Sequence, residues 1–190
     1  ADFNADGNQD VAITHSGANN AQIFLGNGAG NFTPGAVLTT GTTPVYITGA
    51  DLDNSGSMDL VVVNSGSGNI TVYYGTGTGT FSAGTNYSTG TTPVQAKIDH
   101  LNGDALPDIV VTNSGSTNFS VLTAASASTF NSAVNYTTNA TPYAILITDY
   151  DNDGFNDVVV GHNATGAAIL LLRFKGNGTG VLTANGNIGS

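Results

Sequence analysis

The 190-residue chain contains no cysteine, no tryptophan and no glutamate, and only three basic residues, Lys97, Arg173 and Lys175. Each absence excludes something. Without cysteine no disulfide staples the chain, no thiolate serves as nucleophile or metal ligand, and thiols say nothing about the redox compartment. With a formal charge of −10 the chain offers little that would hold a phosphate backbone or an anionic bilayer, so nucleic acid is excluded as a partner. The longest apolar run, AAILLL at 167–172, falls far short of the roughly 20 residues of a membrane span, and no membrane insertion is expected. No signal peptide opens the sequence, which begins inside an acidic segment and reads as a mature or excised portion of something longer. What is present, 39% hydrophobic residues, is enough to build a sizeable core.

The acid is concentrated. The thirteen carboxylates are all aspartates, and all but Asp99 fall in four nine-residue windows: DFNADGNQD from Asp2, DLDNSGSMD from Asp51, HLNGDALPD from His100 and DYDNDGFND from Asp149. The windows recur every 49 residues. Pro44, Pro93 and Pro142 precede them in the same register, and Phe32, Phe81 and Phe130 close a small-residue turn. This is an internal repeat that organises the whole chain. A surface acidified for solubility would scatter its carboxylates and use glutamate freely, so the clustering points to a local task.

In a DxDxDGxxD loop the side chains at positions one, three, five and nine can converge, and the backbone carbonyl at position seven adds an uncharged oxygen. Such a cage suits Ca²⁺, which takes about 6 to 8 oxygen ligands, and does not suit softer metals. Without a cation, converging carboxylates repel one another. The candidate ligands are Asp2, Asn4, Asp6, Asn8 and Asp10 in loop one; Asp51, Asp53, Ser55, Ser57 and Asp59 in loop two; Asn102, Asp104, Leu106 and Asp108 in loop three; and Asp149, Asp151, Asp153, Phe155 and Asp157 in loop four. Loop three has His100 at position one and Ala105 at position six, with Asp99 as a displaced substitute, and is expected to bind more weakly or stay empty. Three or four ions are therefore expected, and four would carry the formal charge from −10 to −2. An EF-hand is excluded, because position twelve of the first loop is Ile13 and a β-branched run follows.

Each loop leads into an aliphatic run: VAIT at 11, LVVVN at 60, IVVTN at 109 and VVVG at 158. A second run, a glycine-rich turn such as GNGAGNF, a more polar strand and a proline-led strand follow. Four short strands per repeat and no sustained helical periodicity predict an all-β chain of β-propeller-type blades. The expectation is one repeat domain over 1–190 with four tandem repeats: an incomplete blade at about 1–40 and three complete four-stranded blades at about 41–89, 90–138 and 139–190. The acidic loop, the LVVVN-like strand and the GNGxGxF turn together resemble the FG-GAP or VCBS-type repeat of integrin-α-like propellers and many secreted bacterial proteins. The resemblance implies Ca²⁺ between the first two strands of each blade and an extracellular or cell-surface recognition or adhesion role. The third repeat departs from it in its loop and in TAASASTF at 123–130, which lacks the glycines.

Catalysis is not expected. His15 and His162 take positions where the other repeats have Asn64 and Asn113, and no carboxylate outside the loops is placed to orient either. The function read from the sequence is thus a non-catalytic, calcium-stabilised module for adhesion or structural self-assembly. Its partners would be other copies of itself or neighbouring repeats, or else a glycan or an extracellular protein. The alternative is a fragment of a secreted polysaccharide-binding protein or polysaccharide lyase built on such repeats. Eight N-x-S/T sequons, at Asn31, Asn69, Asn86, Asn118, Asn135, Asn139, Asn163 and Asn177, are compatible with a glycoprotein. The seven tyrosines are read first as packing between blades and second as carbohydrate-stacking platforms.

Overall fold

The proline-led segments become strands because proline fixes φ and needs no ladder hydrogen bond at a strand's first position, while the β-branched runs after each acidic loop pack well on a pleated surface. The computed structural model describes residues 1–162 and 171–188. Among them all regular structure is β, in seventeen strands. The first sheet has three strands, β1 (Val11–His15), β2 (Asn20–Gly26) and β3 (Phe32–Thr39). The second has four, β4 (Pro44–Ala50), β5 (Asp59–Asn64), β6 (Asn69–Tyr73) and β7 (Thr85–Ser88). The third sheet contains β8 (Pro93–Asp99), β9 (Asp108–Asn113), β10 (Asn118–Leu122) and β13 (Val134–Thr137), with a small hairpin of β11 (Ala124–Ser126) and β12 (Thr129–Phe130) beside it. The fourth is β14 (Pro142–Thr148), β15 (Asp157–His162), β16 (Leu171–Lys175) and β17 (Thr183–Ile188). All pairings are antiparallel, and all join chain neighbours except β10 with β13, which the β11–β12 hairpin separates; this is the pattern of propeller blades, so the all-β, propeller-type expectation holds, with one blade a strand short. The expected second run AAILLL begins in residues 167–170, outside the described part, as does the sequon at Asn163.

The core lies between the sheets. Leu60 and Val62 of β5 pack toward Ala21 and Ile23 of the first sheet and Phe3 of the first acidic loop, whereas Val61 and Val63 face Ile109 and Val111 of the third sheet. Val110, Phe119 and Val121 then meet Val158, Val160 and Phe174 of the fourth. Strands β5 and β9 are buried on both faces, which is why LVVVN and IVVTN read as continuous apolar runs rather than alternating ones. β1 is covered on one face only. Val11 and Ile13 are 37% and 43% exposed, while their counterparts Leu60, Val62, Ile109, Val111, Val158 and Val160 are buried.

The third repeat departs from the others at the turn. Repeats one, two and four make it with glycines at positive φ: Gly28 and Gly30, Gly77 and Gly79, Gly178 and Gly180. Side-chain-bearing residues adopt that conformation only under strain, and TAASASTF, having no glycine there, forms the β11–β12 hairpin instead. No helix among the described residues is long and apolar enough to cross a membrane.

Candidate metal centres

Loops one, two and four share one backbone path. Position four is left-handed in each (Ala5, Asn54 and Asn152, φ 59°, 57° and 59°), and so is position six (Gly7, Gly56 and Gly154, φ 86°, 85° and 91°). These two reversals turn the amides of positions five and six inward onto the first aspartate. Asp6 and Gly7 donate to Asp2 at 3.3 and 2.8 Å, Ser55 and Gly56 to Asp51 at 3.0 and 2.8 Å, and Asp153 and Gly154 to Asp149 at 3.1 and 2.9 Å. At position seven the amides of Asn8, Ser57 and Phe155 donate to the side-chain oxygens of Asp6, Ser55 and Asp153. Loop three cannot follow this path. Ala105 replaces the position-six glycine, neither it nor Gly103 at position four has positive φ, and His100 provides no carboxylate for the amides to close on.

The ninth residue of every loop is a buried aspartate that ties two strands. Asp10 accepts the N–H groups of Phe3 and Gly26, both at 2.8 Å. Asp59 accepts those of Leu52 and Gly75, both at 2.7 Å. Asp108 accepts Leu101, Asn102 and Ala124 at 2.8, 3.2 and 2.9 Å. Asp157 accepts Tyr150 at 3.0 Å and Gly176 at 2.8 Å. Reading these four residues from the sequence as metal ligands alone missed this second task. The signal was available: loop three loses its first aspartate and its glycine but keeps Asp108.

Three carboxylates come within 4.8 Å of one another in two places among the described residues, Asp51, Asp53 and Asp59 in loop two and Asp149, Asp151 and Asp153 in loop four. Burial pushes the Asp59 carboxyl above its ordinary range, and the charges of Asp53 and Asp51 add to the effect. A hard divalent cation at such an all-oxygen set relieves that repulsion, so the donors of loop two fit one. In loop one, position three is Asn4, whose amide nitrogen donates to Asp6 at 3.0 Å while the amide of Asn8 holds Asp6 below its usual range. Loop three brings Asn102 and Asp104 together at 2.8 Å, and burial, with Asp104 adding, raises Asp108. Asp99 does not stand in for the missing aspartate. It ends β8 in register with Asp108, and its carboxylate accepts the N–H of His100 and the amide of Asn156 from the next loop.

Loop four contains a feature the sequence reading passed over. Lys175 Nζ is bonded to Asp151 and lies 2.9 Å from Asp153, whose carboxyl is held below the usual range chiefly by that hydrogen bond. Lys175 immediately precedes the amide that reaches the ninth aspartate, as Leu25, Tyr74 and Thr123 do in the other repeats. The register was hidden because that amide lies 19 residues beyond its aspartate in repeat four and 16 in the others.

The remaining polar residues knit strands. Asn64 donates to Asn69 and Thr71, and Thr71 to Asn86; Asn113 donates to Asn118 and Ser120, and Ser120 to Asn135. Four of the sequon asparagines thus belong to two equivalent networks, with the Thr71 and Ser120 hydroxyls buried. His15 sits 3.0 Å from Asn20 at the corresponding turn. Tyr87 and Tyr136 accept the amides of Phe130 and Leu182 from the following blade, and Tyr136 stacks on Phe119 at 5.1 Å.

The comparisons with known proteins agree with this architecture. The FG-GAP-like repeat matches residues 2–62, 51–97 and 100–160. No curated protein matches the chain. Among solved structures, BBS1N in its crystal complex with ARL6DN superposes with a TM-score of 0.63 at 15% identity, over 99% of this chain and 54% of that one. The Photorhabdus luminescens Tc holotoxin pore superposes with a TM-score of 0.54 at 12% identity, over 94% of this chain and 9% of that one. The chain therefore spans about half or less of the length of these structural neighbours, and likenesses at such identities speak to the fold alone.

Proposed function

The chain belongs to the FG-GAP-like repeat family, and from that premise we propose that it is a non-catalytic, calcium-stabilised module of the extracellular space or cell surface, serving adhesion or structural self-assembly. The ions would be held in loop two by Asp51, Asp53, Asp59, the Ser55 hydroxyl and the Ser57 carbonyl. In loop one the holders would be Asp2, Asn4, Asp6, Asp10 and the Asn8 carbonyl. Loop four offers Asp149, Asp151, Asp153, Asp157 and the Phe155 carbonyl, and loop three is read as metal-free. Calcium would neutralise the loops and lock the strands that the ninth aspartates already tie.

The partner is read as another copy of the chain or a neighbouring repeat. The observation that supports this is the open face of β1: Val11 and Ile13 are exposed where six equivalent side chains are covered by the preceding blade. A blade presenting the complementary aliphatic face would bury them as the internal interfaces do. Light scattering and electron microscopy in calcium, and again after EDTA, test the reading. Rings, filaments or oligomers that EDTA dissociates are expected. Discrete monomers under both conditions refute self-assembly, and monomers that capture an acidic polysaccharide favour the rival carbohydrate-binding reading.

A further inference from the structure

We infer that the ammonium of Lys175 is the resident cation of the fourth loop, a tethered counter-ion that a divalent metal must displace in order to bind there. The comparison with calcium rests on the reading of the loops given above; the ion pair itself does not. By residue type loop four is the most complete of the four, with aspartate at positions one, three, five and nine. Yet two of those carboxylates are engaged by the protein's own cation, and the other two are engaged by backbone amides: Asp149 by Asp153 and Gly154, Asp157 by Tyr150 and Gly176. The first and ninth aspartates of loops one and two accept backbone amides in the same way, so what sets loop four apart is Lys175, which takes the pair at positions three and five, Asp151 and Asp153, the latter also accepting the amide of Phe155.

The lysine is delivered there by the fold. It ends β16, paired with Thr183 of β17, and at this register the other repeats place Leu25, Tyr74 and Thr123, none of which is charged. Arg173, two residues earlier and so on the same face of the strand, lies 5.5 Å over the Tyr150 ring, and Asn185 donates to the Tyr150 hydroxyl at 2.8 Å. Two of the chain's three basic residues thus converge on this one loop. The consequence is a division among the repeats: loops one and two need an external cation to quench their carboxylates, and loop four carries its own.

Counting bound Ca²⁺ on the intact chain by titration calorimetry and equilibrium dialysis tests this, with the wild type compared against K175M, which keeps the stem and removes the charge. Two unit charges about 4 Å apart in water shift an equilibrium about fivefold, and a divalent ion squares that factor, so K175M should bind at loop four about thirtyfold more tightly. At an ion concentration between the two affinities this reads as one extra Ca²⁺ per chain, removed again in K175M/D151N. K175Q repeats the comparison should methionine at this exposed position cause aggregation. A charge-removed variant that binds no more calcium, and no more tightly, than the wild type overturns the inference whatever the total. A wild type that binds no calcium refutes the calcium reading of loops one and two, and an ion gained by K175M alone would still support the tethered cation.

Discussion

Asp59→Asn separates the two tasks of the ninth aspartate. The carboxylate is buried and accepts two backbone amides, Leu52 and Gly75, both at 2.7 Å. Replacing one oxygen by an NH₂ group turns an acceptor into a donor and leaves one of those amides without a partner, at a penalty of about 1–3 kcal/mol. For a chain of this size 1 kcal/mol moves the melting temperature by about 2–4 °C, so a loss of about 4–8 °C is expected in EDTA. In calcium the wild type gains a further increment that the variant forfeits, about 2.7 kcal/mol when the ion is at a hundred times its dissociation constant. The gap between the two proteins should therefore widen from about 2 to about 5 kcal/mol on adding calcium. Asp108→Asn is the internal control. Asp108 makes the same strand tie inside a loop without the metal-binding backbone, so its variant should lose a similar amount in EDTA with no widening. Scanning calorimetry or urea titration in both media measures all four numbers. An equal gap in EDTA and calcium would show that Asp59 is a strand tie only, and no gap in EDTA would refute the tie.

Without metal, Asp59 and Asp108 both have carboxyls raised above the ordinary 3.8, mainly by burial. A raised folded-state pKa means the contribution to stability is complete below the unfolded value and lost as pH rises through the folded one. Stability in EDTA should therefore gain a component as pH falls from neutrality toward 4, and D59N/D108N should flatten that component in denaturant titrations. Asp6 and Asp153, held low by the Asn8 amide and by Lys175, act in the opposite sense and lose their contribution only as pH falls below the ordinary aspartate range. Gly56→Ala should lose about 1–2 kcal/mol in chemical unfolding, because its added Cβ meets nothing within 4 Å and the penalty is that of a left-handed φ alone. Ile109→Ala, in the packed face between the second and third sheets, should lose about 2–5 kcal/mol, whereas Ile13→Ala should stay within about 0.5 kcal/mol in the isolated chain and show its effect in particle mass.

The fold was legible because its period is strict. Forty-nine residues separate equivalent loops, and the proline and phenylalanine markers hold the same register, so the strand pattern of one repeat could be read onto the next. The site was legible as chemistry and less so as geometry. Aspartates at alternate positions announce convergence, but whether the backbone allows it depends on left-handed residues at positions four and six. Glycine signals this by residue type and Asn54 and Asn152 do so more weakly, but Ala5 does not. Lys175 was illegible for a different reason: its approach to Asp151 is made across a strand, 24 residues away, where no local spacing pattern operates. The sequons carry a second signal that composition hides. Asn69 with Thr71 and Asn118 with Ser120 match a glycosylation pattern by composition, while their spacing of two places both on one face of a strand, where they bond Asn64 and Asn113 across the turn.

The third repeat shows why loop and turn depart together. In the other repeats a glycine of the turn lies directly over position seven of the acidic loop: a Cβ at Gly28 would come within 2.3 Å of Asn8, one at Gly77 within 3.0 Å of Ser57, and one at Gly178 within 2.4 Å of Phe155. A Cβ at the glycine that opens the turn would come even closer to the carbonyl of position eight, 2.2 Å from Gln9 and Met58 and 2.1 Å from Asn156. The glycines are thus required by the loop beneath them as much as by the turn's own φ. In repeat three the loop has taken a different path, Ala124 and Ser126 stand where the glycines would, and a β-hairpin replaces the tight turn. Asp108 remains because its partners are the amides of Leu101, Asn102 and Ala124, which require a carboxylate whether or not a cation is present. The loop path proposed to hold a cation and the strand tie are therefore separable parts of one motif, and the third repeat, which has the second without the first, is the natural case of that separation.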